Sequence, residues 1–152
     1  MDKICLVSST GGHLAQLKQI IPILSNYNYF VVTEFNKMSD NNNKEEKYYL
    51  KQQERKNILF LYCALYNIII SIYIILRERP SIIISTGAGA VIPICLFGKL
   101  MGSKLVFIES FAKISTPTLT GKILYRFSDR FYVQWEQLIK YYPNSVYRGT
   151  IY

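Results

Sequence analysis

The sequence predicts an α/β fold, a parallel sheet with helices on both faces, and three observations carry that reading. Short apolar runs alternate with helical stretches along the whole chain. Two of the runs end in glycine turns that open directly into helices, and no repeat or linker divides the 152 residues. A chain of this length buries roughly two thirds of its unfolded surface, enough for one core, so residues 1–152 are expected to form a single domain. With 50% hydrophobic and 18% charged residues, the composition excludes global disorder.

The first run, Ile4-Cys5-Leu6-Val7, reads as a strand ending in Ser8-Ser9-Thr10-Gly11-Gly12-His13. Leu14, Leu17, Ile21 and Leu24 then recur at helical spacing. Pro22 removes a backbone donor inside that pattern, so the helix should kink or stop near Gln19 to Ile21. Asn26-Tyr27-Asn28 is a turn and Phe30 to Thr33 a second strand. From about 36 to 57 the chain carries ten charged residues, no glycine or proline, and the triplet Asn41-Asn42-Asn43, which together read as a flexible charged insertion.

Ile58 to Leu76 carries no charge, lies between Arg55-Lys56 and Arg77-Glu78-Arg79, and approaches the ~20 apolar residues that span a bilayer. The competing parse is a short buried strand, Ile58 to Tyr62, followed by a helix from about Ala64 to Arg79 that is apolar all round. Asn67 and Ser71 would lie at mid-membrane in the spanning arrangement, which favours a helix docked on a partner or on the bilayer surface.

Ile82 to Ser85 is a β-branched strand feeding Thr86-Gly87-Ala88-Gly89-Ala90, and an apolar helix follows to Met101, stopped by Gly102. Leu105 to Ile108 is the next strand and ends at Glu109-Ser110. Thr116-Pro117 reads as a helix start with Leu119, Ile123 and Phe127 as the buried stripe. Phe131 to Val133 is a further strand, Trp135 to Tyr141 a short helix, and Val146 to Tyr152 trails off around Gly149.

A net charge of +8 points to an anionic partner: nucleic acid, acidic lipid or a phosphorylated carrier. No recognition-helix or RNP-like pattern accompanies the charge, so no nucleic-acid partner is expected. Cys5, Cys63 and Cys95 are too few for a disulfide framework and imply a reducing compartment. The first apolar run breaks too early, at Ser8-Ser9-Thr10, for a signal-peptide core.

Gly11-Gly12 between strand and helix exposes backbone N–H groups where an anion can sit, and equally makes the tight turn that any such unit needs. His13, the single histidine, is either a proton acceptor near neutral pH or a first-turn residue bonded to a carbonyl. Glu109 at a strand end can bind sugar hydroxyls, act as a base, or pair with a lysine such as Lys113. Ile92 stands where the third glycine of a dinucleotide fingerprint would be, and one histidine gives no metal set. No cofactor or metal is therefore expected.

Ser9-Thr10-Gly11-Gly12-His13-Leu14, Ser85 to Ala90 with Pro93, Lys104 to Ser110 and Phe131-Tyr132-Val133-Gln134-Trp135 together resemble the acceptor-side half of a split GT-B glycosyltransferase. The resemblance covers nearly the whole chain. It extends to capsular and exopolysaccharide proteins of the CpsF or PssD type, to the amino-terminal domain of MurG-like transferases, and to the membrane-anchoring subunit of the dolichol-pathway GlcNAc transferase. It implies a single Rossmann-like GT-B half that binds the membrane and a lipid-linked sugar acceptor, while a separate donor-binding subunit holds the nucleotide-sugar. Carried over by position, Gly11, Gly12 and His13 would line the acceptor side of the cleft, Gly87 and Gly89 would form the second glycine turn, and Glu109 would lie at the third strand end. From their place at the carboxyl ends of strands His13 and Glu109 are expected to be catalytic, with Thr10, Gly11, Gly12, Gly87, Gly89 and Ser110 binding the acceptor. The first glycine motif is shorter than in two-domain relatives, so phosphate binding is not carried to it.

On this reading the protein is a non-autonomous transferase subunit, peripheral on the cytoplasmic face of the cell membrane and attached through an anionic lipid surface. The alternatives are a membrane-recruitment protein without site residues of its own and a free-standing nucleotide-binding enzyme. His13 and Glu109 are expected in an open cleft, and Trp135 with the late tyrosines on the partner contact.

Overall fold

The apolar runs become strands and the glycine turns become helix starts in the computed structural model, which describes residues 3–35, 46–53 and 59–152. Strand β1 (Lys3–Ser8) leads to α1 (Gly12–Lys18), a 3-10 turn at Ile21–Leu24 and β2 (Asn28–Glu34). Next come β3 (Glu46–Leu50), α2 (Phe60–Glu78), β4 (Ile82–Gly87) and α3 (Ile92–Leu100). After these follow β5 (Lys104–Ile108), α4 (Leu119–Leu124), β6 (Arg130–Val133), a 3-10 turn at Glu136–Leu138 and β7 (Val146–Tyr147).

The strands form one seven-stranded sheet in the order β3-β2-β1-β4-β5-β6-β7, and every neighbouring pair is parallel. All carboxyl ends therefore share one edge. The chain builds outward from β1 to β3, then places β4 on the other side of β1 and builds the opposite way. The crevice between β1 and β4 is the switch point at which open α/β sheets hold ligands. Both glycine turns meet there, joined by Ser9 N–H donating to Gly87 O across 2.8 Å.

Side chains alternate between the faces along each strand. Cys5, Val7, Phe30, Val32, Ile83, Leu105 and Phe107 pack one face against Ile74 and Ile75 of α2, Ile94 and Cys95 of α3, and Leu124 of α4. Ile4, Leu6 and Val31 pack the other face against Leu17 of α1 and Leu24. Helices cover both faces as expected, with the second face covered only near β1 and β2.

Several boundaries differ from the sequence reading. No strand occupies Leu59 to Tyr62: α2 runs unbroken from Phe60, because the helical hydrogen bonds already begin with Cys63 N–H to Leu59 O. Part of the presumed insertion is the edge strand β3, which pairs with β2 from Val31↔Glu46 to Glu34↔Leu50. Residues 36–45 and 54–58 of that stretch lie outside the described residues. Thr118, not Thr116, caps α4, its hydroxyl accepting from Gly121 N–H. Leu119 and Phe127 are exposed, and Thr120, Gly121 and Leu124 form the buried stripe. α1 does stop short of Pro22, and the segment after Trp135 is a single 3-10 turn.

α2 turns its polar residues inward and leaves much of its apolar surface outward. Its buried residues are Asn67, Ser71 and Glu78 beside Ile74 and Ile75, while Leu61, Leu65, Ile69 and Leu76 are 77%, 57%, 61% and 51% exposed. A globular helix ordinarily turns its apolar stripe inward. Here Asn67 closes two 2.8 Å hydrogen bonds on Lys51, accepting from its N–H and donating to its carbonyl. Glu78 pairs with Lys3 at 2.7 Å and accepts from the Tyr48 hydroxyl, so Asn67 and Glu78 are satisfied on the inner side, while the Ser71 hydroxyl finds no partner among the described residues.

Candidate functional site

The site is built at the switch point from the two glycine turns. Gly11 adopts φ 73°, a left-handed conformation that costs glycine nothing, and delivers the chain into α1 with His13 in the first turn. The Nδ1 of His13 lies 2.6 Å from Thr86 O, and Thr86 Oγ1 donates to His13 O across 2.8 Å. A carbonyl only accepts, so Nδ1 carries the proton and a neutral ring keeps its lone pair on Nε2. Gly87 makes the packing possible. It has φ 102°, and a Cβ there would stand 3.2 Å from His13 Cε1 and 3.3 Å from Nδ1.

Glu109 follows β5 and is completely buried, which corrects the expectation of an open cleft. Its Oε1 accepts from Ser110 N–H at 2.8 Å and from the Thr118 hydroxyl at 2.8 Å. Its Oε2 accepts from Tyr142 OH at 2.7 Å and Thr118 N–H at 3.2 Å. A buried carboxylate with that many donors is a satisfied anchor. Lys113 is exposed and is not its partner. His13 and Glu109 nevertheless share a cavity of about 40 Å³, also lined by Thr86, Gly87, Thr118 and Thr120. That is room for a few water molecules.

Among the acceptor-binding candidates, Gly11 and Gly12 are exposed on the carboxyl edge, Thr10 and Gly89 are half-buried, and Gly87 and Ser110 are buried. A Cβ on Gly89 would meet only Gln53 Oε1, at 3.7 Å. The first turn is already faced by an anion: Glu34, at the end of β2, accepts the backbone N–H groups of Thr10 and Gln53. Burial raises the Glu34 carboxyl above its ordinary range, and those two hydrogen bonds pull it partly back. A carboxylate on the Thr10 N–H takes up one of the donors that an anion at this turn would use. Among the described residues no group of three His, Cys, Asp or Glu side chains is placed to hold a metal.

Sequence reasoning missed Glu34, Thr118, Gly121 and Tyr142. Thr118 carried a signal, since a hydroxyl residue three positions before a helical N–H is a capping pattern. Tyr142 carried none, being 33 residues from Glu109. The chain end closes over the same edge: Gln134 Nε2 donates to Glu109 O at 2.8 Å, and Ile151 N–H donates to Gln134 Oε1 at 3.0 Å. Trp135 is half-buried and donates to Phe111 O at 2.7 Å, and Tyr142 is buried. Tyr141, Tyr147 and Tyr152 are exposed.

Comparison with known proteins bears on the assignment. The UDP-N-acetylglucosamine transferase subunit ALG14 of Homo sapiens is 29% identical, over 97% of this chain and 82% of the human protein. The protein of that name in Schizosaccharomyces pombe is 42% identical over 47% of this chain and 37% of its own length. Acinetobacter baumannii MurG superposes with a TM-score of 0.72 at 14% identity, over 90% of this chain and 43% of MurG. UDP-GlcNAc 2-epimerase of Methanocaldococcus jannaschii gives 0.74 at 14%, over 97% and 45%. These structures share the Rossmann-like fold, and this chain spans less than half of either. The resemblance to the capsular and exopolysaccharide type is not supported, since the relatives carry a different name and the matching family model is described as "Oligosaccharide biosynthesis protein Alg14 like". That model matches residues 4–151, and the chain belongs to the Alg14 family.

Proposed function

We propose that this chain is the acceptor-side subunit of a glycosyltransferase that moves a sugar from a nucleotide-sugar to a lipid-linked acceptor, working with a separate donor-binding subunit. The observation that carries the reading is the family: relatives aligned along nearly the whole chain are named as subunits of a UDP-N-acetylglucosamine transferase. UDP-N-acetylglucosamine is accordingly the donor to test first.

His13 is the residue proposed to act on the acceptor. The bond from Nδ1 to Thr86 O leaves Nε2 as the basic nitrogen, and abstraction of a sugar hydroxyl proton needs such a base near neutral pH. Gly11, Gly12 and Gly89 supply open backbone beside it. Glu109 is given a supporting part, holding the end of β5 and the start of α4 so that the histidine pocket keeps its shape. Departure of the nucleotide diphosphate falls to the donor-binding subunit.

Two surfaces serve the assembly. The outward apolar face of α2 rests on the cytoplasmic leaflet of a membrane, and its buried polar residues keep the helix docked on its own domain, which favours peripheral attachment. The donor-binding subunit covers the uncovered part of the second sheet face, where Ile23, Ile84, Val106, Ile108 and Ile151 line an apolar groove of about 390 Å³.

The test is sugar transfer from UDP-N-acetylglucosamine to a lipid-linked acceptor by the reconstituted pair. Wild-type pair should be active and the isolated chain should not. His13→Ala should lower the rate by about 10²–10⁴ with the melting temperature and the complex retained. Loss of the complex with activity per complex unchanged would leave His13 structural and favour the recruitment reading.

A further inference from the structure

Lys51 follows the last residue of β3 and stands where the exposed face of α2 meets the carboxyl edge of the sheet. Its backbone is fixed on both sides by Asn67, which is completely buried. Its ammonium lies 4.3 Å from the ring centre of Tyr62 and 4.5 Å from that of Tyr66, and donates to the Tyr62 hydroxyl at 3.1 Å. The rings sit one helical turn apart, so they flank the cation as a pair. No carboxylate among the described residues pairs with Lys51, and the groups acting on it are Tyr62, Cys63 and Tyr66. An ammonium has three donors and Tyr62 takes one.

The surroundings narrow what the remaining donors meet. Leu61, Leu65 and Ile69 project into solvent beside the two tyrosines. On the other side Gln53, only two residues on, gives its N–H to Glu34 together with Thr10 and brings Oε1 toward Gly89. Two residues span at most about 7 Å. A ligand here has an apolar part along α2, an anionic group at Lys51, and a polar end at the glycine turns.

We propose that Lys51, Tyr62 and Tyr66 form a binding site for the phosphate headgroup of the lipid-linked acceptor, holding it at the membrane surface so that its sugar reaches the turn at His13. The proposal rests on the membrane and acceptor reading above and adds a residue-level site to it. Asn67 is the positioning residue: it keeps Lys51 in register with the helix that meets the lipid.

The experiment measures binding of the full chain to vesicles of phosphatidylcholine alone, with phosphatidylserine, and with a polyisoprenyl diphosphate. Lys51→Gln should weaken binding to the diphosphate vesicles about fivefold while binding to phosphatidylcholine is unchanged. Lys51→Arg should restore most of it, and Tyr62→Leu, which keeps the apolar area, should weaken it as well. In the reconstituted pair, Lys51→Gln should raise KM for the acceptor and leave kcat near wild type. An equal loss on phosphatidylserine vesicles would reduce Lys51 to general attraction for an anionic surface and overturn the site, as would no loss at all. Wild-type protein that binds none of the vesicles would overturn the membrane reading and this site together.

Discussion

Tyr142 donates its hydroxyl to Glu109 Oε2 across 2.7 Å in a fully buried pair that joins the end of β5 to the segment after β6. Thr118 closes the arrangement from the cap of α4, with its hydroxyl 2.8 Å from Oε1. The Tyr142 hydroxyl is pushed well above its ordinary range, first by burial and then by this hydrogen bond. Its proton therefore stays on tyrosine, and the carboxylate stays the acceptor. Three elements are held by one charge.

Glu109→Gln places an amide donor where only donors point, so it is expected to destabilise the fold by about 1–3 kcal/mol in denaturant titration. Tyr142→Phe removes one of several donors and should cost about 1 kcal/mol. A double-mutant cycle should return a coupling between them. An unchanged midpoint for Glu109→Gln would show that the carboxylate is not an anchor.

Gly121→Ala should be more damaging than either. The new Cβ would lie 2.1 Å from Glu109 Oε2, 2.6 Å from Tyr142 OH and 2.9 Å from Thr118 Oγ1. Alanine normally gains about 1 kcal/mol over glycine inside a helix, whereas this overlap should cost a net ~2–4 kcal/mol. A gain in melting temperature would refute the packing described.

The inward polar residues and outward apolar surface of α2 make its two faces separable by experiment. Leu65→Asp and Ile69→Asp, on the exposed face, should leave stability within about 0.5 kcal/mol and strongly reduce vesicle binding. Asn67→Ala, on the inner face, orphans the N–H and carbonyl of Lys51 and should cost ~1–3 kcal/mol. The reverse ranking of stabilities would mean that the helix faces the other way.

Native thiol labelling provides an independent reading of the same helix. Cys5 and Cys95 are fully buried, and burial pushes both thiols up, that of Cys95 to about 12, so neither forms the reactive thiolate. Cys63 on α2 is half-buried. Iodoacetamide followed by mass spectrometry should mark Cys63 in the native protein and all three after unfolding, with vesicles slowing the reaction at Cys63.

Acid stability should report Asp129, which accepts from Lys99 at 2.6 Å and from Leu105 N–H at 2.7 Å. The Lys99 hydrogen bond is the main cause that lowers its carboxyl below the ordinary range. A carboxyl depressed on folding stabilises above its unfolded value, about 3.9, and loses that contribution as pH falls through the folded one. Asp129→Asn should flatten this part of the acid limb by up to ~1 kcal/mol, because the pair is partly exposed.

Periodicity and turn chemistry are local, and what they govern was legible in the sequence. The strand, glycine turn and helix units at Gly11 and Gly87 follow from apolar runs broken by residues that tolerate φ 73° and 102°. Alternation of such units implies a parallel sheet, which puts His13 and the glycines on one edge. What the sequence left open depends on partners distant along the chain. Glu109 at a strand end looks the same whether it faces a cleft or a buried tyrosine 33 residues away. β3 is short and runs from two charged residues into two tyrosines and Leu50, so it gives no alternating signal. A helix apolar all round has no stripe to orient it, and the hydrogen bonds of Asn67 and Glu78 to Lys51, Lys3 and Tyr48, together with the core packing of Ile74 and Ile75, decide which side of α2 faces inward. Unsatisfied buried polar groups are costly, so Asn67 and Glu78 share with Ile74 and Ile75 in setting the direction of the helix, and the remaining apolar side chains are left outward.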